Sequence, residues 1–412
     1  MDQIAHQSAS PLIEVVDLSF RHPGRHQLTL EGINLTLRPG EIVLLAGATG
    51  SGKSTLLNCI AGIIPEHTGG SLKGQILYRG TDLQDASVRQ RSHEFCILLQ
   101  NVETQIFTDR VWDEVVFGLE NWNLPADQIP SIAQSVLYEF GLEGRRDWSI
   151  QRLSAGQKQR LLLACLLAIG QPVLLLDEPL AYLDANGVEQ LLQLLKAKAN
   201  QGQSILLVEH RLDLVGEICD RAYFFQDGKL SEHVLDKPGD RTGLDIATNV
   251  FSEALKLKSE NPVPQRSDTP AETLLRTRGL SWGGYSAFPD FDVNAGETIL
   301  LKGDNGCGKT TLLKLLSGLL KPTTGTLEIV GRDVSKRSVI QISKQVGFVL
   351  QNPNHQLFAD SVRAEVLQPG ISPQLADTLL QQLNLQEFAD KHPQALSQGQ
   401  KRRLALASVL VR

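Results

Sequence analysis

The sequence predicts an α/β protein with a mostly parallel core sheet flanked by helices, laid down twice along one chain, the second copy incomplete. Three observations predict it. Short, almost wholly apolar runs end in polar or charged residues; glycine-rich loops join such runs to helical segments; and blocks of sequence recur in order. The runs are EIVLLAG (41–47), EFCILLQ (94–100), PVLLLDE (172–178) and SILLVEH (204–210). Runs of this kind suit strands covered on both faces, as in a parallel sheet. Helical segments at 53–63 and 155–169 lie between or beside them, which gives a three-layer core.

The repeat organises the chain. GATGSGKST (47–55) recurs as GDNGCGKTT (303–311), LLQNVETQIF (98–107) as VLQNPNHQLF (349–358), and LSAGQKQR (153–160) as LSQGQKRR (396–403). The spacing between copies shrinks along the chain, so the second has shorter connections. The first module is expected over 1–236, ending near the turn at 226–229. A polar, proline-containing linker follows over 237–272, and the second module spans 273–412.

Composition narrows the function classes. A chain of 412 residues exceeds one ordinary core, and about 100–200 residues per domain suggests two or three units, of which two is carried forward. With 42% hydrophobic and 21% charged residues it is globular. A net charge of -6 offers no basic field for nucleic acid and favours a small, locally bound polyanion. Five cysteines, without paired spacing, read as reduced thiols rather than a metal site. The N-terminus lacks a signal pattern, and the longest apolar run (161–176) is broken by Gly170, Gln171 and Pro172, so no transmembrane segment is expected.

The chemistry-bearing residues lie at the ends of the apolar runs. Gly47, Ala48, Thr49, Gly50, Ser51, Gly52, Lys53 and Ser54, with Thr55 behind them, fit a phosphate loop between strand and helix. Its glycines let backbone N–H groups face phosphate oxygens, Lys53 would pair with the β and γ phosphates, and the Ser54 hydroxyl would hold Mg2+. The same reading applies to Gly303, Asp304, Asn305, Gly306, Cys307, Gly308, Lys309, Thr310 and Thr311. Asp177 and Glu178 end a core strand, where Asp177 would bind Mg2+ through water and Glu178 would act as general base; in isolation the pair also reads as a helix cap. His210 ends another strand within reach of a γ phosphate, though a lone histidine is more often a packing residue. Gln100, and Gln351 in the second copy, follow strands and are candidates for Mg2+ or water. Ser154, Ala155, Gly156 and Gln157, and likewise Ser397, Gln398, Gly399 and Gln400, open helices whose N-termini suit anions, or whose serines are ordinary caps.

A phosphate loop, a glutamine loop, an LSxGQ segment, an apolar strand ending in Asp-Glu and a later histidine, in that order, resemble the ATP-binding-cassette ATPases across nearly the whole chain. The resemblance implies phosphate-loop domains with a helical signature subdomain. It matches Lys53, Ser54, Gln100, the signature Ser154 to Gln157, the Walker B pair Asp177 and Glu178, the D-loop Leu183-Asp184 and His210. It further implies that cassettes pair head to tail, within or between chains, each ATP lying between one phosphate loop and the other signature. QNVETQIF with VWDEVVFGLEN, QNPNHQLF with SVRAEV, and EPLAYLD look like the energy-coupling factor group. That group powers bacterial uptake of vitamins and transition-metal ions. The implied partners are an integral membrane coupling subunit and a substrate-binding membrane subunit, with ATP and Mg2+ as cofactors and no nucleic acid. The implied location is the cytoplasmic face of the plasma membrane, as a peripheral subunit.

Two features depart from the family. Its adenine-stacking aromatic is represented by His22, with Phe20 as a substitute, and by Tyr285 in the second copy. The serine-to-aspartate spacing of the first copy, counted from Ser397, runs past Arg412, so the second Walker B strand, D-loop and histidine are expected to be missing. The chain then reads as a fragment or truncated product with a poorly stable second module that binds nucleotide without efficient turnover. Two other classes stand beside transport: a soluble tandem cassette acting on ribosomes or DNA, and an ATP-binding fragment without turnover. Lys53→Ala in the 412-residue chain is expected to abolish ATP hydrolysis, measured as phosphate release; normal release would refute the assignment of the hydrolytic site to the first copy.

Overall fold

The computed structural model describes residues 10–48, 50–226, 228–234, 272–283, 287–303 and 307–411. The linker expected over 237–272 therefore lies almost wholly outside the described residues, as do Thr49, Tyr285, Asp304, Asn305 and Gly306. The described residues form two compact units, one up to residue 234 and one from residue 272.

In the first unit β1 (Ile13–Arg21), β2 (Leu30–Leu37), β4 (Ser71–Tyr78) and β5 (Thr81–Asp82) make an antiparallel sheet in the order β2-β1-β4-β5. A six-stranded sheet has the order β10-β9-β3-β8-β7-β6, built from β3 (Ile42–Gly47), β6 (Phe95–Leu98), β7 (Val173–Asp177), β8 (Ser204–Val208), β9 (Arg221–Gln226) and β10 (Lys229–Val234). The pairs β3–β8, β3–β9, β7–β8 and β6–β7 are parallel, and only β10 is antiparallel to its neighbour.

Period-two alternation divides each parallel strand between two cores. Ile42 and Leu44 of β3, Leu174 and Leu176 of β7, and Ile205 and Leu207 of β8 face a helical layer. That layer holds helices Val111–Asn121, Ile129–Glu139, Ala155–Ile169 and Ala185–Asn200. Val43, Leu45, Val173, Leu175, Leu206 and Val208 face the antiparallel sheet, with Leu56, Leu57 and Ile60 of helix Lys53–Ala61 between the sheets. The buried Arg91 guanidinium accompanies the end of that helix, donating to the carbonyls of Cys59 at 3.0 Å and Ile60 at 3.1 Å, where a cation suits the helix dipole. The helix start is thus fixed at the carboxyl edge of β3, the edge at which α/β sheets bind ligands.

In the second unit β11 (Thr273–Ser281), β12 (Phe291–Asn294), β13 (Thr324–Ile329) and β14 (Arg332–Asp333) repeat the antiparallel sheet in the corresponding order, β12-β11-β13-β14. Leu280, Leu327 and Ile329 pack with Leu312 and Leu315 of helix Lys309–Leu316. A separate helical cluster contains Val362, Val366, Leu380, Leu396 and Leu404. The parallel sheet does not recur among the described residues. Leu44 of β3 is fully buried, whereas its repeat counterpart Leu300 is 75% exposed and outside any strand. The reason is pairing: β3 is held by β8 and β9, which follow the signature helix, and the 412 residues contain no second copy of either. Without a hydrogen-bonding neighbour an apolar strand has neither its backbone partners nor its second face covered.

No helix among the described residues is long and apolar enough to cross a membrane. Leu44→Asp should unfold the first unit, while Leu300→Asp should change stability by no more than about 0.5 kcal/mol, as for exposed sites generally. Denaturant unfolding of the two variants checks this, and comparable losses would contradict the structure described for the second unit.

Candidate active site

The phosphate loop of the first unit is shaped by glycines. Gly47 and Gly52 have φ of 151° and 116°. A Cβ on Gly47 would come within 2.8 Å of the Phe225 backbone carbonyl, so only glycine fits between β3 and β9. The loop leads into helix Lys53–Ala61, whose first turn puts Lys53 back over it. The buried Lys53 ammonium donates to the carbonyls of Gly47 at 2.7 Å and Ala48 at 2.9 Å. Burial lowers its pKa to about 8, against the opposing pull of Glu178 and Asp177, which favour the charged form. An ammonium so placed is desolvated and ready for anionic partners.

Asp177 ends β7 and is buried. Burial pushes its carboxyl up to about 6, opposed by a hydrogen bond with Ser54. Its Oδ1 has no hydrogen-bond partner. An unpaired buried carboxylate oxygen beside the Ser54 hydroxyl offers oxygen ligands that fit a hard cation.

Glu178 follows with φ of 52°, the left-handed region that costs a non-glycine residue on the order of 1 kcal/mol. The turn is secured by its own amide, which donates to the Val208 carbonyl at 2.9 Å, and by Gln159 Nε2, which donates to the Glu178 carbonyl at 3.2 Å. The turn directs the carboxylate to His210, whose Nε2 stands 3.1 Å from Glu178 Oε1. Burial works to raise the Glu178 pKa, but hydrogen bonds from His210 and Gln100 outweigh it and hold the group below its ordinary value. Lys53, Ser54, Gln100, Asp177, Glu178 and His210 are therefore gathered at the carboxyl edge of one sheet, with Gln100 and His210 both on the Glu178 carboxylate.

Both signature serines cap their helices. Ser154 Oγ accepts from the Gln157 amide at 3.3 Å and Gln157 Oε1 accepts from the Ser154 amide at 3.0 Å. Ser397 and Gln400 form the same box at 3.3 and 2.8 Å. Ala155 and Gly156, like Gly399, lie in the first turns that follow. In the second phosphate loop Lys309 Nζ donates to the Gly303 carbonyl at 2.6 Å, as Lys53 does to Gly47. Cys307 is exposed, and Thr310, Thr311 and Gln351 are wholly or partly exposed. Phe20 is fully buried in the core with His22 edge-on to it at 4.8 Å, so Phe20 is not available for stacking and only His22 retains exposure.

Several residues that position the site were not singled out in the sequence. Gln159, on the signature helix, holds the backbone after Glu178 by donating to the Pro179 carbonyl at 2.5 Å and accepting from the Tyr182 amide at 3.2 Å. Gln105 ties the glutamine loop, accepting from the Leu99 amide at 2.7 Å and donating to the Ile97 carbonyl at 3.0 Å. The buried Glu114 accepts from the amides of Phe107 and Thr108 at 3.1 and 2.7 Å. A signal was available for the last two, since Gln356 and Glu365 recur at the matching places and accept from Leu350 at 2.9 Å and from Phe358 at 2.8 Å. Gln159 gave none through the repeat, because Arg402 stands in its place.

The raised Asp177 pKa sets a pH dependence. A carboxyl whose pKa rises on folding favours the folded state below about pH 4, and that contribution is lost as pH rises through about 6. Asp177→Asn should therefore stabilise the ligand-free protein by about 1–3 kcal/mol near pH 7.5. The gain should vanish toward pH 4. Denaturant unfolding across pH checks this, and a gain that grows on acidification would contradict it.

Comparison with known proteins identifies the family. The profile of the ABC transporter family matches residues 30–181 and 289–412. A Methanosarcina acetivorans protein with the provisional name ABC transporter ATP-binding protein is 34% identical over 98% of this chain and 75% of its own length. A Bacillus subtilis protein provisionally named HMP/thiamine import ATP-binding protein YkoD is 31% identical over 98% of this chain and 80% of its own. Among solved structures, cbiO1 from Clostridium perfringens, part of the ABC transporter complex cbiONQ, is 27% identical with a TM-score of 0.50, covering 60% of this chain and 96% of that one. The chain belongs to the ABC transporter family, as an ATP-binding protein with the ATP-hydrolysing cassette fold.

Proposed function

We propose that the chain is the ATP-hydrolysing subunit of an importer of the energy-coupling factor type, powering uptake of a vitamin or transition-metal ion through separate membrane subunits. The observation that carries the hydrolytic part is the Glu178 carboxylate held 3.1 Å from His210, with Gln100 on the same group, beside the buried Lys53. The importer part is supported by the thiamine-import name of the B. subtilis relative and by the cbiO1 likeness. In this reading the chain works at the cytoplasmic face of the membrane against an integral coupling subunit, and a separate membrane subunit selects the solute. The modules are assigned to 1–236 and 273–412, with 237–272 as linker.

ATP phosphates would take the N–H groups of the loop 47–55 and the Lys53 ammonium, which exchanges the Gly47 and Ala48 carbonyls for phosphate oxygens. Glu178, ionised at neutral pH, would accept a proton from the attacking water as its oxygen approaches the γ phosphorus. His210 Nε2–H, which orients that carboxylate in the ligand-free protein, would turn to donate to the γ phosphate when ATP is bound. Mg2+ fits Ser54, Gln100 and the unpartnered Asp177 Oδ1, and would neutralise phosphate charge when bound. The loop 303–311 with Gln351 is assigned to nucleotide binding. Ser154 to Gln157 and Ser397 to Gln400 are assigned to nucleotide held by another cassette.

Mg-ATPase activity of the chain beside Glu178→Gln tests the reading. Loss of kcat by at least about 100-fold, with ATP still bound in equilibrium dialysis, is expected of a missing general base. Undiminished turnover in Glu178→Gln would overturn it.

A further inference from the structure

In the first unit the pairing of β7 with β8 runs out where the chemistry begins. Asp177 and Val208 are the last residues in register, and the Glu178 amide still reaches the Val208 carbonyl. Beyond that point side chains take over. The amide of the fully buried Leu180 donates to Glu209 Oε1 at 2.9 Å, and the His210 amide donates to the other oxygen of that carboxylate at 3.2 Å. On the other side of His210 the Arg211 guanidinium donates to the Leu180 carbonyl. The two neighbours of His210 therefore hold both polar groups of one peptide residue two places beyond Glu178.

Glu209 is only 3% exposed, and a buried carboxylate persists where donors and a nearby cation meet it. Burial pushes the Glu209 carboxyl up, opposed by the two backbone amides as donors and by Arg211 as the cation. The clamp closes a short ring from Glu178 through Leu180 to His210, and the remaining side of that ring is the 3.1 Å contact between imidazole and carboxylate. The strained left-handed turn at Glu178 is the element most in need of such restraint.

The geometry points to Glu209 and Arg211 as positioning residues for hydrolysis, which lock the backbone after Glu178 to the backbone of His210 so that carboxylate and imidazole stay paired. This rests on the roles proposed above for Glu178 and His210. A purely structural carboxylate would act on stability alone; a positioning residue acts through His210 and leaves ATP binding at Lys53 in place.

The test uses the full chain with Glu209→Ala, Glu209→Gln and the Glu209→Ala/His210→Ala pair. Glu209→Ala should lower kcat by ~10-fold or more, with KM for ATP within about twofold, because small misplacements of reacting groups are felt in turnover. Glu209→Gln, which keeps an acceptor for the Leu180 amide, should fall between. Added to His210→Ala, the alanine at 209 should lower kcat no further, as expected of residues in one coupled network. Hydrogen exchange of the 178–184 peptide should rise in Glu209→Ala. Wild-type kcat in Glu209→Ala, an equal further loss in the His210→Ala background, or unchanged exchange would each overturn the inference. If the alanine variant does not fold, wild-type kcat in Glu209→Gln overturns it instead. An inactive parent chain would count against the proposed function, and exchange alone would then decide the clamp.

Discussion

The parallel pairing of β7 with β8 is the constraint on which the site depends. Every residue of both strands is buried, so the two are covered on both faces and their register cannot slip without turning a core face outward. That register, running from Val173 opposite Ser204 to Asp177 opposite Val208, brings the carboxylates and the histidine off the sheet at one level. It also sets β3, and hence the phosphate loop, one strand away. Burial and hydrogen bonding then shift the ionisable groups: the Lys53 ammonium is lowered by burial, Asp177 is raised by burial, and Glu178, which burial alone would raise, is held low by its hydrogen bonds.

The two units show which features are local and which are not. The phosphate-loop lysine on its first glycine carbonyl, the serine–glutamine capping box, and the glutamine and glutamate that staple the glutamine loop all occur in both. Each is made within about ten residues of chain. Among the described residues the parallel sheet occurs only in the first unit, because its hydrogen bonds join segments separated by most of the module. Apolar character alone leaves the segment around Leu300 exposed.

Much of the site was legible from residue order. Strands 42–47, 173–177 and 204–208 fell within the apolar runs, with Asp177, Glu178 and His210 at the ends of the last two and Lys53 opening the helix after the first. Gln100 could be named from its place after β6, though its hydrogen bond with the Glu178 carboxylate could not. Glu209 and Arg211 carry no recognisable motif, and the burial of Glu209 is visible only in the folded chain. Phe20 reads as a stacking candidate until the sheet packing shows it in the core.

The sequence by itself determined the repeat, the family resemblance and the core strands 42–47, 95–98, 173–177 and 204–208 of the first unit, because these depend on short-range patterns of apolarity, glycine and capping. Only the tertiary structure decided which side chains hold Glu178, that Asp177 keeps an unpartnered oxygen, and that the described residues of the second copy form its antiparallel sheet and helices but no parallel sheet. Those outcomes depend on contacts between residues far apart in the chain, whose burial and hydrogen-bond partners exist only once strands from distant segments have paired.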